Sequence, residues 1–295
     1  MKATDRDYFV SVSQRGFTLV EMIVVIVITG IVAAAVAVFI RAPVQGYVDL
    51  VARAELADEA DTAVRRISRE VRRALPNSVR LTSAGGNNYL EFLLTSTGGR
   101  YLTDSDDIAF EGNVLSFTTN DTSFRVVDGF SEERIPYGSN GESWVVIYNL
   151  GPGQEPANAY CSGDTCNNRA LVSAVDTASK TITMASNPFA APGTLRSPGN
   201  RFQVVTTPVT YECNPSAHTL TRYSGYTIGT TQPAPPTGGT AALLASGVTS
   251  CNFSYDNSAI NTSQALLGIT LAMARPGTNS GTITLFHQVH VDNTP

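Results

Sequence analysis

The sequence predicts an α+β protein in which a long N-terminal α-helix is packed on a large antiparallel β head. Three observations carry this. Phe17 to Ile40 form an apolar run broken by a single charge, Glu21. Between 41 and 75, Ala60, Val64, Ile67, Val71 and Leu75 recur at steps of four and three, which is one face of a helix. From Pro76 onward the texture changes to short β-branched and aromatic runs separated by Gly and Asn-rich turns. The implied organisation is a polar leader at 1–16, a membrane-spanning helix at 17–40, a distal amphipathic helix at 41–75 and a head at 76–295.

The 24 residues from Phe17 to Ile40 would reach about 36 Å as a helix, enough to cross a hydrocarbon core of about 30 Å. Lys2, Arg6 and Arg15 outnumber Asp5 and Asp7 ahead of it, and a positive end is retained on the cytoplasmic side, so the head should face outward. An ordinary secretory signal is cut after its apolar region. Here the conspicuous small residue, Gly16, precedes that region, between Arg15 and Phe17. Cutting there would discard the polar leader and leave the span as the new N-terminus. Glu21 is then the anomaly, since a carboxylate in lipid costs about 2.5–3.5 kcal/mol near a span centre and usually has a partner. Near the span end, snorkelling to the headgroups is the plain alternative.

Pro43 and Gly46 predict a kink or a short unwound stretch just past Ile40. Beyond it, Asp58, Glu59 and Asp61 precede Arg65, Arg66, Arg69, Arg72 and Arg73, an order that suits the helix dipole and predicts an Asp61 to Arg65 pair. The arginines read as a solvated face, with subunit contact as the functional alternative. Pro76 and Asn77 should end the helix.

The predicted strands are YLEFLL, DIAFEG, NVLSFTT, SFRVV, SWVVIYNL, KTITMA, RFQVVTTPVTYEC, HTLTRYS, VTSCNFSYD, ALLGITLAM and TITLFHQVHV. A long loop is expected near 151 to 170, and TIGTTQPAPPTGGTAA reads as an exposed Pro, Gly and Thr-rich loop.

Composition narrows function. A net charge of −5 gives no broad attraction to phosphate backbones, so no nucleic-acid partner is expected. Cys161 and Cys166 lie together in a loop-like stretch, while Cys213 and Cys251 sit in strand-like sequence. Bridges Cys161–Cys166 and Cys213–Cys251 are expected, although spacing alone leaves the other pairings of four cysteines open. Zinc is disfavoured because CxxxxC is looser than the usual CxxC. His287 and His290 are three apart in a strand and so point to opposite faces, and His218 lies in a turn without a nearby acid. No GxSxG elbow supports a triad. The acids in TDSDD at 103–107 begin like a calcium loop, but the twelfth position would be Leu115. Neither an enzyme nor a resident cofactor or metal is expected, and calcium has no support beyond that cluster.

Arg15-Gly16-Phe17-Thr18-Leu19-Val20-Glu21, followed by a span of the right length, resembles the processing motif of type IV prepilins and of type II secretion pseudopilins. The resemblance implies a type IV pilin-like fold and cleavage by a prepilin peptidase after Gly16, with N-methylation of Phe17. It also implies that Glu21, then fifth in the mature chain, neutralises the new amine of a neighbouring subunit. A buried charge left unpaired is costly, so such a pair would favour assembled over isolated subunits. Residues 44–81, with VTYECNPSAHTLTRYSG and CNFSYDNSAINTSQALLGITLAM, resemble the larger MshO-type minor pilins of mannose-sensitive haemagglutinin (MSHA) pilus biogenesis. A looser resemblance is to J-type minor pseudopilins. The implied partners are prepilin peptidase, other major and minor pilins, an inner-membrane assembly platform, and membrane lipid before assembly. The implied location is the bacterial inner membrane with a periplasmic head, and then the pilus. The implied role is pilus initiation or capping, favoured over the major subunit by the 279 residues after Gly16. A tip adhesin, with a receptor pocket in the 151–170 loop or the Pro-rich loop, and a type II secretion pseudopilin are the alternatives.

Overall fold

A computed structural model describes residues 16–103, 113–127, 130–161, 167–256, 264–275 and 281–295. One α-helix, α1 (Leu19–Val71, 53 residues), is followed by antiparallel strands, which is the α+β architecture expected. The chain divides into two compact units, one ending at Val51 and one covering Ala52–Pro295.

In the first unit every described residue up to Val48 is exposed, among them Phe17, Ile31 and Phe39. An 18-residue window here has a mean hydropathy of 3.1, so the helix is long and apolar enough to cross a membrane. The expected unwinding is absent: Pro43 and Gly46 both lie inside continuous helix. A proline removes only its own bond to the carbonyl four residues back, a cost of about 3 kcal/mol that intact turns on both sides can absorb.

In the second unit α1 becomes amphipathic. Ala52, Leu56, Ala60, Ala63, Val64, Ile67, Ser68 and Val71 are buried along one stripe, and Asp61 pairs with Arg65 as expected. The helix stops at Val71, short of the expected Leu75. Arg73 and Ala74 bond back to carbonyls three residues away. Ala74 then bridges to Leu94, and the Leu75 amide donates to the Leu93 carbonyl. Pro76 keeps Leu75 out of the α region, so the chain passes from helix end to sheet edge without a linker.

The head strands are β1 (Arg80–Ala84), β2 (Asn87–Arg100), β3 (Ser123–Arg125), β4 (Trp144–Val146), β5 (Arg169–Asp176), β6 (Thr181–Met184), β7 (Arg201–Asn214), β8 (Thr219–Ser224), β9 (Thr240–Ser246), β10 (Val248–Asp256), β11 (Gln264–Met273) and β12 (Ile283–Asp292). The larger sheet has the order β1-β2-β7-β4-β5-β6-β3, with β8 on β7 and β9 on β8; the smaller is β10-β11-β12. Gly85 and Gly86, both at positive φ, make the two-residue turn between β1 and β2. The segment NVLSFTT, expected as a strand, is irregular; its Ser116 side chain instead accepts from the amides of Thr118 and Thr119. DIAFEG lies outside the described residues.

β7 contributes to two larger cores and, through Val205, to a smaller cluster with Leu75, Leu93 and Tyr160. Phe202 and Val204 pack with β3 to β6, whereas Val209, Tyr211 and Cys213 pack with the α1 stripe and both sheets. Pro208 interrupts this central strand, and the pairing shows why it is tolerated. On one side β7 pairs with β4 over Gln203–Val205 and with β8 from Val209 onward, leaving 206–208 without a partner there. Proline cannot donate to a ladder, and it sits where the ladder has a gap.

Candidate processing site and its supporting contacts

Gly16, Phe17 and Thr18 precede the first helical residue, Leu19, in irregular backbone. A Cβ at Gly16 would meet nothing within 4 Å, and its backbone is not at positive φ. The chain's own fold therefore places no demand for glycine at this position. Such a demand would have to come from whatever reads the segment. Phe17 is 81% exposed, so the Gly16–Phe17 bond lies in exposed, irregular backbone.

The next turn is capped. The Glu21 amide donates to Thr18 Oγ1 at 3.3 Å, and the Thr18 amide donates back to Glu21 Oε2 at 3.4 Å. This reciprocal pair is a capping box, in which the first and fourth residues satisfy each other's free amides. Both bonds are long. The carboxylate also faces the positive end of the helix dipole. Glu21 thus has a role inside its own chain that the sequence reading overlooked, although Thr-x-x-Glu ahead of an apolar run is its signature. Gly16 and Phe17 directly precede the helix, and Glu21 lies in its first turn.

The head is tied to the end of α1 by a second acid that the sequence reading missed. Glu70 Oε2 accepts from the Tyr211 hydroxyl at 2.7 Å and from Arg222 Nε at 2.8 Å, while Arg66 Nε stands 3.5 Å from its other oxygen. Burial, with Glu70 beside it, pushes the Tyr211 phenol well above its usual range. Further round the sheet, Glu91 is fully buried and Arg80 nearly so. Arg80 Nε donates to Glu91 at 2.8 Å, and its guanidinium lies 3.7 Å from the centre of the Tyr160 ring. Glu91 also accepts from Thr210 and Tyr226. Burial raises the Glu91 carboxyl above its ordinary value, opposed by Arg80 and these hydroxyls.

The Pro-rich segment is a loop up to Gly239 with most of its residues exposed, as expected, but this cluster ties it to the sheet. Arg80 donates to the Gly229 and Thr230 carbonyls, Gln232 to the Tyr89 carbonyl, and Pro236 is buried. Thr240 to Ala242 belong to β9. The 151–170 segment is also partly core: Tyr160 is fully buried and donates to the Ser78 carbonyl.

The Cys213–Cys251 bridge is present and joins β7 to β10. Cys166 lies outside the described residues, and with it the Cys161–Cys166 pairing. The acids of TDSDD, Asp104 to Asp107, lie outside them too. His218 binds the Val248 carbonyl through Nδ1. His287 is half-buried beside exposed His290 on the opposite face of β12. Among the described residues no three His, Cys, Asp or Glu side chains are grouped as metal ligands.

Comparison with known families gives one match: residues 12–37 fit the Prokaryotic N-terminal methylation motif. No characterised protein and no solved structure matches the chain. The matched segment contains Gly16, Phe17, the capping box and the start of the apolar helix. It supports a type IV pilin-like protein, a pilin or pseudopilin processed by prepilin peptidase, with a structural rather than an enzymatic task.

Proposed function

We propose that the chain is a minor pilin, cleaved between Gly16 and Phe17, methylated on Phe17, and incorporated into a type IV pilus as an initiation or tip component. The observation that carries this is Gly16: a glycine that its own fold does not require, in exposed backbone directly ahead of a capped apolar helix, within the matched methylation motif. Before assembly the helix is held in the inner membrane with the head in the periplasm. After cleavage the Phe17 amine becomes available to a carboxylate, and Glu21 of an adjacent subunit is its partner. An assembly platform and other major and minor pilins complete the machinery. The large head, built on two larger cores and a smaller apolar cluster, suits a subunit present in few copies, as in the MshO-type pilins of MSHA biogenesis. Anchoring of both candidate receptor loops against the head favours this building role over an adhesin.

Co-expression with a prepilin peptidase tests the reading. The purified chain should lose residues 1–16 and gain one methyl group on Phe17 by mass spectrometry. An intact precursor in the presence of an active peptidase would overturn it. Deletion of the gene should reduce the number of surface pili; normal pili with lost adherence would favour the adhesin, and lost protein secretion with normal pili the pseudopilin.

A further inference from the structure

β12 is the outer strand of the smaller sheet. It pairs with β11 over ten uninterrupted positions, and among the described residues no strand pairs with its other side. Natural edges are blunted with lysine, proline, bulges or a covering element. ITLFHQVHVD holds neither lysine nor proline, its register has no bulge, and its Phe286 is 65% exposed.

A cleft of about 700 Å³ runs along this strand, lined by Leu285, Phe286 and His287. Side chains alternate between the faces of a strand, so a cleft that meets three consecutive residues meets the strand's side, where backbone donors and acceptors point. The opposite wall is the end of α1, with Arg65 and Arg69, and the turn just past it, with Arg72 and Arg73. Arg65 pairs with Asp61, and Arg73 donates to the Thr95 carbonyl. Arg69 and Arg72 have no ion pair among the described residues and are exposed.

We propose that this cleft captures an extended acidic strand of a neighbouring subunit, which pairs with β12 and sets its carboxylates against the arginines. The identity of the occupant rests on the pilin reading. Strand addition gives affinity through main-chain bonds and specificity through alternate side chains. The spacing fits. Arg65 and Arg69 stand one turn, about 6 Å, apart along the helix, with Arg72 just past its end, and every second residue of a strand is about 6.6 Å apart. The matching strand therefore bears acids at alternate positions, a pattern that aims all of them at the helix wall.

The test uses the full chain in detergent micelles and a fluorescein-labelled peptide, Thr-Glu-Val-Glu-Val-Glu-Val-Thr, followed by fluorescence anisotropy. Binding should weaken at least tenfold when the acids are grouped as Thr-Glu-Glu-Glu-Val-Val-Val-Thr. It should weaken as much when alternate backbone nitrogens are methylated in the set that faces β12, and both methylation sets are measured. Arg69→Glu combined with Arg72→Glu should also lower affinity at least tenfold without changing the unfolding temperature. No binding of the parent peptide overturns the proposal, as does equal binding of both methylated sets or of the double variant. Capture is read on the uncleaved chain, so failed processing at Gly16 would overturn the pilin reading without altering this result.

Discussion

The two halves of α1 face opposite problems with one backbone. Up to Val48 the helix exposes an apolar surface all round, and its one acid is held by two long hydrogen bonds at the cap. From Ala52 onward the apolar residues are confined to a stripe, and Glu70 has three partners. In the second half a charge is fixed by the chain's own sheet. In the first it is loosely held, and can exchange its partner for one outside the chain at small cost. The contrast sets the loosely satisfied acid of the proposed processing site apart from the elaborate network that holds the head on its helix.

The largest effects should divide cleanly between the halves. Gly16→Trp should abolish cleavage, read as an unshifted precursor mass, while the unfolding midpoint of the head stays unchanged; a shift in both would mean that the leader and head are coupled. Arg80→Met strands a buried carboxylate and should cost the head about 3–5 kcal/mol, measured by denaturant unfolding, with cleavage intact.

Smaller effects sharpen the role of the cap. Glu21→Ala should permit cleavage yet reduce incorporation into pili, scored by immunoblot of sheared filaments. Thr18→Ala removes the cap, worth about 1 kcal/mol, and keeps the charge. Equal loss of incorporation in both variants would assign Glu21 to capping; loss in Glu21→Ala alone would assign it to pairing with an outside amine.

The smallest effect is a pH slope. Burial raises the Glu91 pKa, so the folded head holds this proton more tightly than the unfolded chain does. The stability it contributes is fully present below about pH 4.5, near the ordinary carboxyl value, and is lost as pH rises through the folded value. Glu91→Gln should flatten that part of the plot of unfolding temperature against pH, and an unchanged slope would show that Glu91 does not titrate there.

Much of the fold was legible because solvent leaves a period in sequence. The α1 stripe at Ala60, Val64, Ile67 and Val71 is buried as its spacing predicted, and β10 to β12 fall on their apolar runs. Glu91 was not legible. In Tyr89-Leu90-Glu91-Phe92-Leu93, alternation places the acid outward on a solvated face, but residues 226–236 cover that face with a second layer. Periodicity reports one neighbour per face and is silent on what a distant loop adds. β5 was missing from the expected strands, only its first two residues falling in the expected 151–170 loop, and β9 begins inside a Gly and Thr-rich stretch of weak strand character. Pro43 misled as far as unwinding was inferred from one missing donor. At the processing site, Gly16 and Glu21 were visible from the motif, whereas Thr18 was passed over because its task is local.

The bridge between Cys213 and Cys251 has a mechanical consequence. It links the strand shared by both larger cores to the first strand of the smaller sheet, 38 residues later in the chain. Hydrogen bonds and apolar contacts yield progressively under load, but a covalent tie fixes how far the two layers can slide. A filament component carrying tension would keep its layers in register until that tie is reduced. Its tolerance of shear is therefore set by redox chemistry as well as by packing.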